Sequence, residues 1–198
     1  MDFTELTDQR VVELALKGRE SAYRELLRRY QRPVLSLIHR MVRDREQAED
    51  LAQDTFVKVL NALDRYRPEF KFSSWIFKIA HNTALDALRR RELPTLSLDG
   101  APDAVSAEAQ EATRPMVAVD EQSPDDYAAG RELGVHIEAA IARLRPEYRT
   151  AVTLYHIEGF AYEEIAETME LPLGTVKTFI HRARRELREQ LEHLRTEA

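Results

Sequence analysis

From Pro94 to about Gly130 runs a stretch that cannot fold by itself, and it divides everything around it. Prolines stand at 94, 102, 115 and 124 among Ala, Ser and Asp, with little apolar periodicity. Between Pro94 and Glu132 there are nine acids (99, 103, 108, 111, 120, 121, 125, 126 and 132) and two bases (114 and 131), a local charge of −7. Such a composition buries too little apolar surface to offset the entropy lost on ordering a chain. It reads as a flexible acidic linker over 94–130. The units on either side, 1–93 and 131–198, must each supply their own core.

Both units read as helical. In the first, Val11, Val12, Leu14 and Ala15 begin an apolar stripe that stops near Gly18. Ala22, Tyr23, Leu26, Leu27 and Tyr30 recur at helical spacing, Pro33 interrupts, and Val34, Leu37, Ile38 and Met41 continue. A third stripe holds Ala48, Leu51, Ala52, Thr55, Phe56, Val59 and Leu60. After a break at Arg67-Pro68, Ser73 and Ser74 are placed to cap a helix with Trp75, Ile76, Ile79, Ala80, Leu85 and Leu88. In the second unit, Leu133, Ile137, Ala140, Ile141 and Leu144 mark one helix, and Pro146 suits the first position of the next. No useful run of strand-like alternation appears. The expected class is all-α, with two helical domains joined by the acidic linker.

The segment Gly159–Arg188, GFAYEEIAETMELPLGTVKTFIHRARRELR, carries the sharpest chemical signal. Tyr162 to Met169 predicts one helix. Leu171-Pro172-Leu173-Gly174 breaks the pattern, because Pro lacks an amide donor and Gly tolerates unusual backbone angles. Thr175 starts a second helix with Val176, Phe179, Ile180 and Ala183 on its apolar side. Lys177, Thr178, His181, Arg182, Arg184, Arg185 and Arg188 crowd the rest. From Gly174 to Arg188 five bases face one acid, a charge of +4. A helix of this kind fits the major groove of duplex DNA.

Two further constellations lie in the first unit. On AEDLAQDTF, helical geometry puts Asp50, Gln53 and Asp54 on one face, made more acidic by Glu46 and Glu49. That face suits docking on a basic protein, and equally suits plain solvation. From Lys71 to Arg91, five bases and one acid accompany Phe70, Phe72, Trp75 and Phe77, again +4. Cations beside aromatics suit single-stranded DNA, whose phosphates meet the charges while bases stack. The aromatics equally suit a core, and Trp75 is read as core.

Other chemistry is poorly represented. There is no cysteine, and the six His (39, 81, 136, 156, 181 and 193) are scattered without a metal-binding motif or a phosphate-binding Gly loop. No cofactor, metal or catalytic residue is expected, and the chain does not read as an enzyme. The N-terminus lacks a secretory apolar region, and no run approaches a bilayer span. A cytoplasmic protein without membrane insertion is expected. The net charge is −6, which leaves +1 outside the acidic stretch. So weak an attraction suits a chain that does not hold DNA tightly alone.

AEDLAQDTF, YRPEFKFSSWIFKIAHNTALDALRRR and GFAYEEIAETMELPLGTVKTFIHRARREL, in this order and separation, resemble a bacterial sigma factor of the extracytoplasmic-function (group IV) family, over about 22–91 and 133–191. The resemblance implies that the first unit is sigma region 2 and the second sigma region 4. Asp50, Gln53 and Asp54 would dock on the β′ clamp helices of core RNA polymerase. Phe70, Phe72 and Asn82 would recognise and melt the −10 element, with Arg89, Arg90 and Arg91 on phosphate. Thr175, Lys177, Thr178, His181, Arg182 and Arg185 would read the −35 duplex, and the apolar outer side of the second unit would rest on the β flap. Many members have an anti-sigma factor, so one is expected. The alternative is a stand-alone helix-turn-helix regulator, which leaves the first unit unexplained.

Overall fold

The computed structural model describes residues 3, 5–92 and 124–196. Among these there is no strand. The order is α1 (Asp8–Leu16), α2 (Glu20–Val42), α3 (Arg45–Asn61), a 3-10 turn (Leu63–Arg65), α4 (Phe72–Glu92), α5 (Pro124–Arg143), α6 (Pro146–Val152), a wide π turn (Thr153–Ile157), α7 (Tyr162–Met169) and α8 (Leu173–Thr196). Helix α5 starts at Pro124, so helix extends into the stretch read as linker. The rest of that stretch lies outside the described residues.

The first half is a bundle around α2. Val11, Val12, Leu26, Val34, Leu37, Ile38, Val59 and Ile76 are fully or almost fully buried at its centre. Pro33 does not interrupt α2, which runs through it. One amide donor is lost, but Tyr30, Val34 and Leu37 bury on both sides of the proline, and packing outweighs that local cost. An ionic knot ties α1 to α2. Glu25 accepts from Arg28 (2.8 Å) and Arg29 (2.7 Å), and Arg29 reaches on to Asp8 at 2.7 Å. Tyr30 Oη also donates to Asp8. The two guanidiniums pull the Glu25 carboxyl down to about 2.

The start of α4 differs from the expected cap. Ser73 and Ser74 lie inside its first turn, because the helix opens at Phe72. Phe72 is 1% exposed. Its ring meets Tyr30 and Tyr66 edge-on, each at 5.3 Å, and Trp75 at 5.6 Å. Burying such a side chain stabilises by about 2–3 kcal/mol, so the helix start is set by the ring entering the core.

In the second half, Leu144, Tyr148, Val152 and Ala183 form a small cluster between α6 and α8. The apolar stripe of α5 is buried only at its C-terminal end; Leu133, Val135 and Ile137 are exposed. The two halves are packed against each other. Helix α4 lies on α7 and α2 on α6. Phe77 meets Phe160 edge-on at 5.1 Å, so one core runs through both halves.

Candidate nucleic-acid interface

Three surfaces follow from this packing. The first is the outer face of α3. Ala48, Ala52, Thr55 and Val59 turn inward, and Thr55 donates to the Leu51 carbonyl at 2.7 Å. Asp50, Gln53 and Asp54 are thereby left exposed, continuous with Val57 (57% exposed) and Leu60 (39%). No ion pair reaches Asp50 or Asp54 among the described residues. Sequence reasoning placed Leu60 in the buried stripe; it stands on the outer face instead. An exposed strip that mixes carboxylates, an amide and aliphatic side chains suits protein contact better than solvation alone.

The second surface is the α4 region. Phe70 stands 45% exposed in the loop before the helix, where Tyr66 Oη donates to its carbonyl at 2.7 Å. Phe72, expected beside it as a strand contact, is core and presents no ring to a base. Asn82 is half-buried, and Arg89, Arg90 and Arg91 are exposed at the C-terminal end. His81, next to Asn82, is buried with Nδ1 unpartnered.

Burial pushes the His81 imidazole down to about 4; Arg89 adds to the shift and Glu170 opposes it. The folded protein therefore holds the ring neutral while the unfolded chain takes up a proton near 6.5. Stability is full above that value and falls as pH drops below it. From pH 7.5 to pH 5 the loss expected from His81 is about 2 kcal/mol. His39 and His156 are also pushed down by burial. Urea unfolding across this range should therefore show a slope that His81→Gln flattens but does not abolish. An unchanged slope would remove His81 from the account.

The third surface is α8. It starts at Leu173, earlier than Thr175, and the turn before it is built differently from expectation. Gly174 lies inside the helix. The left-handed residue is Glu170, at φ 56°. Leu171 N–H bonds to the Ala166 carbonyl at 2.9 Å and Glu170 N–H to that of Glu167 at 3.4 Å, a Schellman motif with glutamate where glycine is the usual choice. Glu164 closes the other end of α7 by accepting from the Ala161 amide at 2.8 Å.

Val176, Ile180 and Ala183 are buried, which turns Lys177, Thr178, His181, Arg182 and Arg185 outward, with Thr175 half-buried. Thr178 Oγ1 donates to the Gly174 carbonyl at 2.8 Å, and Arg182 to Tyr148 Oη at 3.3 Å. Arg184 is turned toward its own domain. It sits over the Tyr155 ring at 5.0 Å and donates to His156 at 3.2 Å. The charge count alone did not separate it from its neighbours. The six expected positions thus share one accessible stretch of helix.

No helix of the described residues is long and apolar enough to cross a membrane. No group of three or more His, Cys, Asp or Glu among them is placed to hold a metal ion.

Comparison with known proteins fits this geometry. Residues 26–93 match Sigma-70 region 2 and residues 135–187 match Sigma-70 region 4. The RNA polymerase sigma-H factor of Pseudomonas aeruginosa is 36% identical, covering 98% of this chain and 99% of that one. The ECF RNA polymerase sigma-E factor of Escherichia coli K12 is 34% identical over 96% and 97%, and SigW of Bacillus subtilis 34% over 90% and 93%. The fold resembles CnrH, solved with the cytosolic domain of CnrY (TM-score 0.65, 22% identity, 94% of this chain and 97% of that one). It also resembles the sigma factor RpoE of Bartonella quintana, solved with the anti-sigma factor NepR (TM-score 0.65, 24% identity, 86% and 96%). With both regions present in order and relatives alike from end to end, the chain belongs to the sigma-70 family, as a sigma factor of the extracytoplasmic-function group.

Proposed function

We propose that this protein works in the cytoplasm as a non-enzymatic initiation factor that brings core RNA polymerase to promoters through three separate surfaces. Its units are 1–93, for polymerase docking and the −10 element, and 131–198, for the −35 element, joined through 94–130. Asp50, Gln53 and Asp54 dock on the β′ clamp helices. Phe70, Asn82, Arg89, Arg90 and Arg91 hold the melted −10 strand. Thr175, Lys177, Thr178, His181, Arg182 and Arg185 read the −35 duplex, and the apolar outer side of the second unit, including Leu133 and Ile137, rests on the β flap. The observation that carries this reading is the outward face of α8: an accessible run of bases and hydroxyls whose opposite side is buried.

A helix presented in this way enters the major groove, where Arg and Lys meet base edges and phosphates. Unpaired DNA needs a different device, and an exposed ring ahead of a basic helix end supplies it. Control by an anti-sigma factor is part of the proposal, supported by the similar fold of Bartonella quintana RpoE, which was solved with the anti-sigma factor NepR.

Run-off transcription with core polymerase and genomic DNA, with start sites mapped, tests the reading. Discrete starts that share two upstream elements are expected only when the protein is present. Binding to operator DNA without polymerase, and no new starts with it, would favour a stand-alone regulator.

A further inference from the structure

The loop that presents Phe70 has no core of its own. Residues Arg67 to Lys71 are all exposed, so no buried side chain of the loop fixes its shape. Hydrogen bonds do. Phe70 N–H closes a turn onto the Arg67 carbonyl at 3.1 Å. Two more bonds come from side chains outside the loop. Tyr66 Oη donates to the Phe70 carbonyl at 2.7 Å, and Gln9 Nε2 of α1 donates to the Pro68 carbonyl at 2.6 Å. We propose that Gln9 is a positioning residue for −10 strand recognition: its amide holds the loop so that the Phe70 ring stands ready to stack on an unpaired base. The inference rests on the strand-capture reading given above. It brings α1 into recognition, although α1 lies ahead of the stretch that matches Sigma-70 region 2.

Three observations support it. First, Gln9 and Pro68 are 59 residues apart, so their bond is made by the fold and not by the local turn.

Second, Gln9 stands on a fixed post. Its neighbour Asp8 accepts from Arg29 at 2.7 Å and from Tyr30 Oη, and Arg29 is held in turn by Glu25 at 2.7 Å. Val11 and Val12 of the same helix are buried in the core. A donor so anchored can hold a loop that has no packing of its own.

Third, the other bond also starts from a fixed point. Tyr66 is buried, with its ring edge-on to Phe72 at 5.3 Å and tilted against Trp75 at 5.6 Å. The two bonds therefore pin the carbonyls on either side of Glu69, while the Phe70 ring itself stays 45% exposed. A ring on an unpinned loop would lose backbone and side-chain freedom when it captured a base. Fixing the loop beforehand removes that cost from binding. The Gln9 amide is committed to Pro68, so its effect on the strand passes through Phe70.

Holoenzyme assembled with the full-length chain tests this by fluorescence anisotropy, using a single-stranded oligonucleotide that carries the mapped −10 element and a scrambled strand of equal length. Q9M keeps the length of the side chain, removes the donor and changes no charge. It should weaken the −10 strand about fivefold, the scale of one hydrogen bond, and leave the scrambled strand and the thermal melt unchanged. F70A should weaken the −10 strand by at least about tenfold. The double variant Q9M/F70A should bind no more weakly than F70A, because a loop without its ring has nothing left to position. Wild-type affinity in Q9M beside a weakened F70A would overturn the positioning role. So would losses that multiply in the double variant, or an equal loss on the scrambled strand. Wild-type affinity in F70A would instead overturn strand capture by Phe70, and the role of Gln9 with it.

Discussion

Replacing Asp50 by Arg is expected to lower the affinity for core RNA polymerase about 100-fold, near 2.7 kcal/mol, because like charges brought together at an interface cost several kcal/mol. Asp50 lies on the outer face of α3, whose inner face of Ala48, Ala52, Thr55 and Val59 is untouched by the change. Surface substitutions away from core, caps and buried networks shift stability by about 0.5 kcal/mol or less, so the thermal melt should stay where it is. Titrating labelled protein with core polymerase gives the affinity, and circular dichroism checks the fold. Gln53→Ala removes an amide without reversing a charge and should cost about tenfold, the scale of one interfacial hydrogen bond. Unchanged affinity in D50R would take the outer face of α3 out of the docking surface.

Arg182→Ala should weaken binding to the cognate −35 duplex by about 1–3 kcal/mol, roughly ten- to a hundredfold. The side chain is exposed on the outward stretch of α8, held toward Tyr148 Oη at 3.3 Å. The discriminating readout is the comparison with altered duplexes. If Arg182 reads a base, the loss is confined to the cognate sequence. An equal loss on every −35 sequence, with a smaller salt dependence, would make it a phosphate contact. Tyr148→Phe removes the tether and leaves the guanidinium in place, so it should cost far less than R182A; an equal cost would show that positioning, not contact, carries the effect.

Much of the fold was legible because helices announce themselves by spacing. The stripe Val34, Leu37, Ile38, Met41 and the run Val176, Phe179, Ile180, Ala183 each describe one inward face, and all of these residues are buried except Phe179, which is half-buried. Local rules failed where a local preference met a stronger distant partner. Pro33 reads as a break, yet α2 continues because Tyr30, Val34 and Leu37 on its inner face are buried. Ser73 and Ser74 read as caps, but Phe72 enters the core and moves the helix start. Gly174 reads as the special backbone position, and Glu170 holds it instead.

The candidate site divides in the same way. Helical geometry alone put Asp50, Gln53 and Asp54 on one face, since residues three and four apart share a face whatever the fold; their docking role came from the family resemblance. Phe70 and Phe72 look equivalent in sequence; only the Tyr30, Tyr66 and Trp75 rings around Phe72 separate a core residue from an exposed one. Arg184 and Arg185 are adjacent exposed bases, and only the position of Tyr155 and His156 ties the first to its own domain.

Periodicity and composition by themselves determined that this chain is helical, that an acidic stretch separates two units, and that one unit carries a basic helix after a tight turn. These are properties of neighbours along the chain, set by side-chain spacing and the entropy of ordering it. What only the tertiary structure decided is which charged groups meet. Lys78 and Glu170 lie in different units, and nothing in either local sequence marks one as the other's partner. Their pairing exists because Phe77 and Phe160 bury against each other and bring α4 onto α7. An ion pair is felt over a few ångströms, so the fold must first supply the proximity.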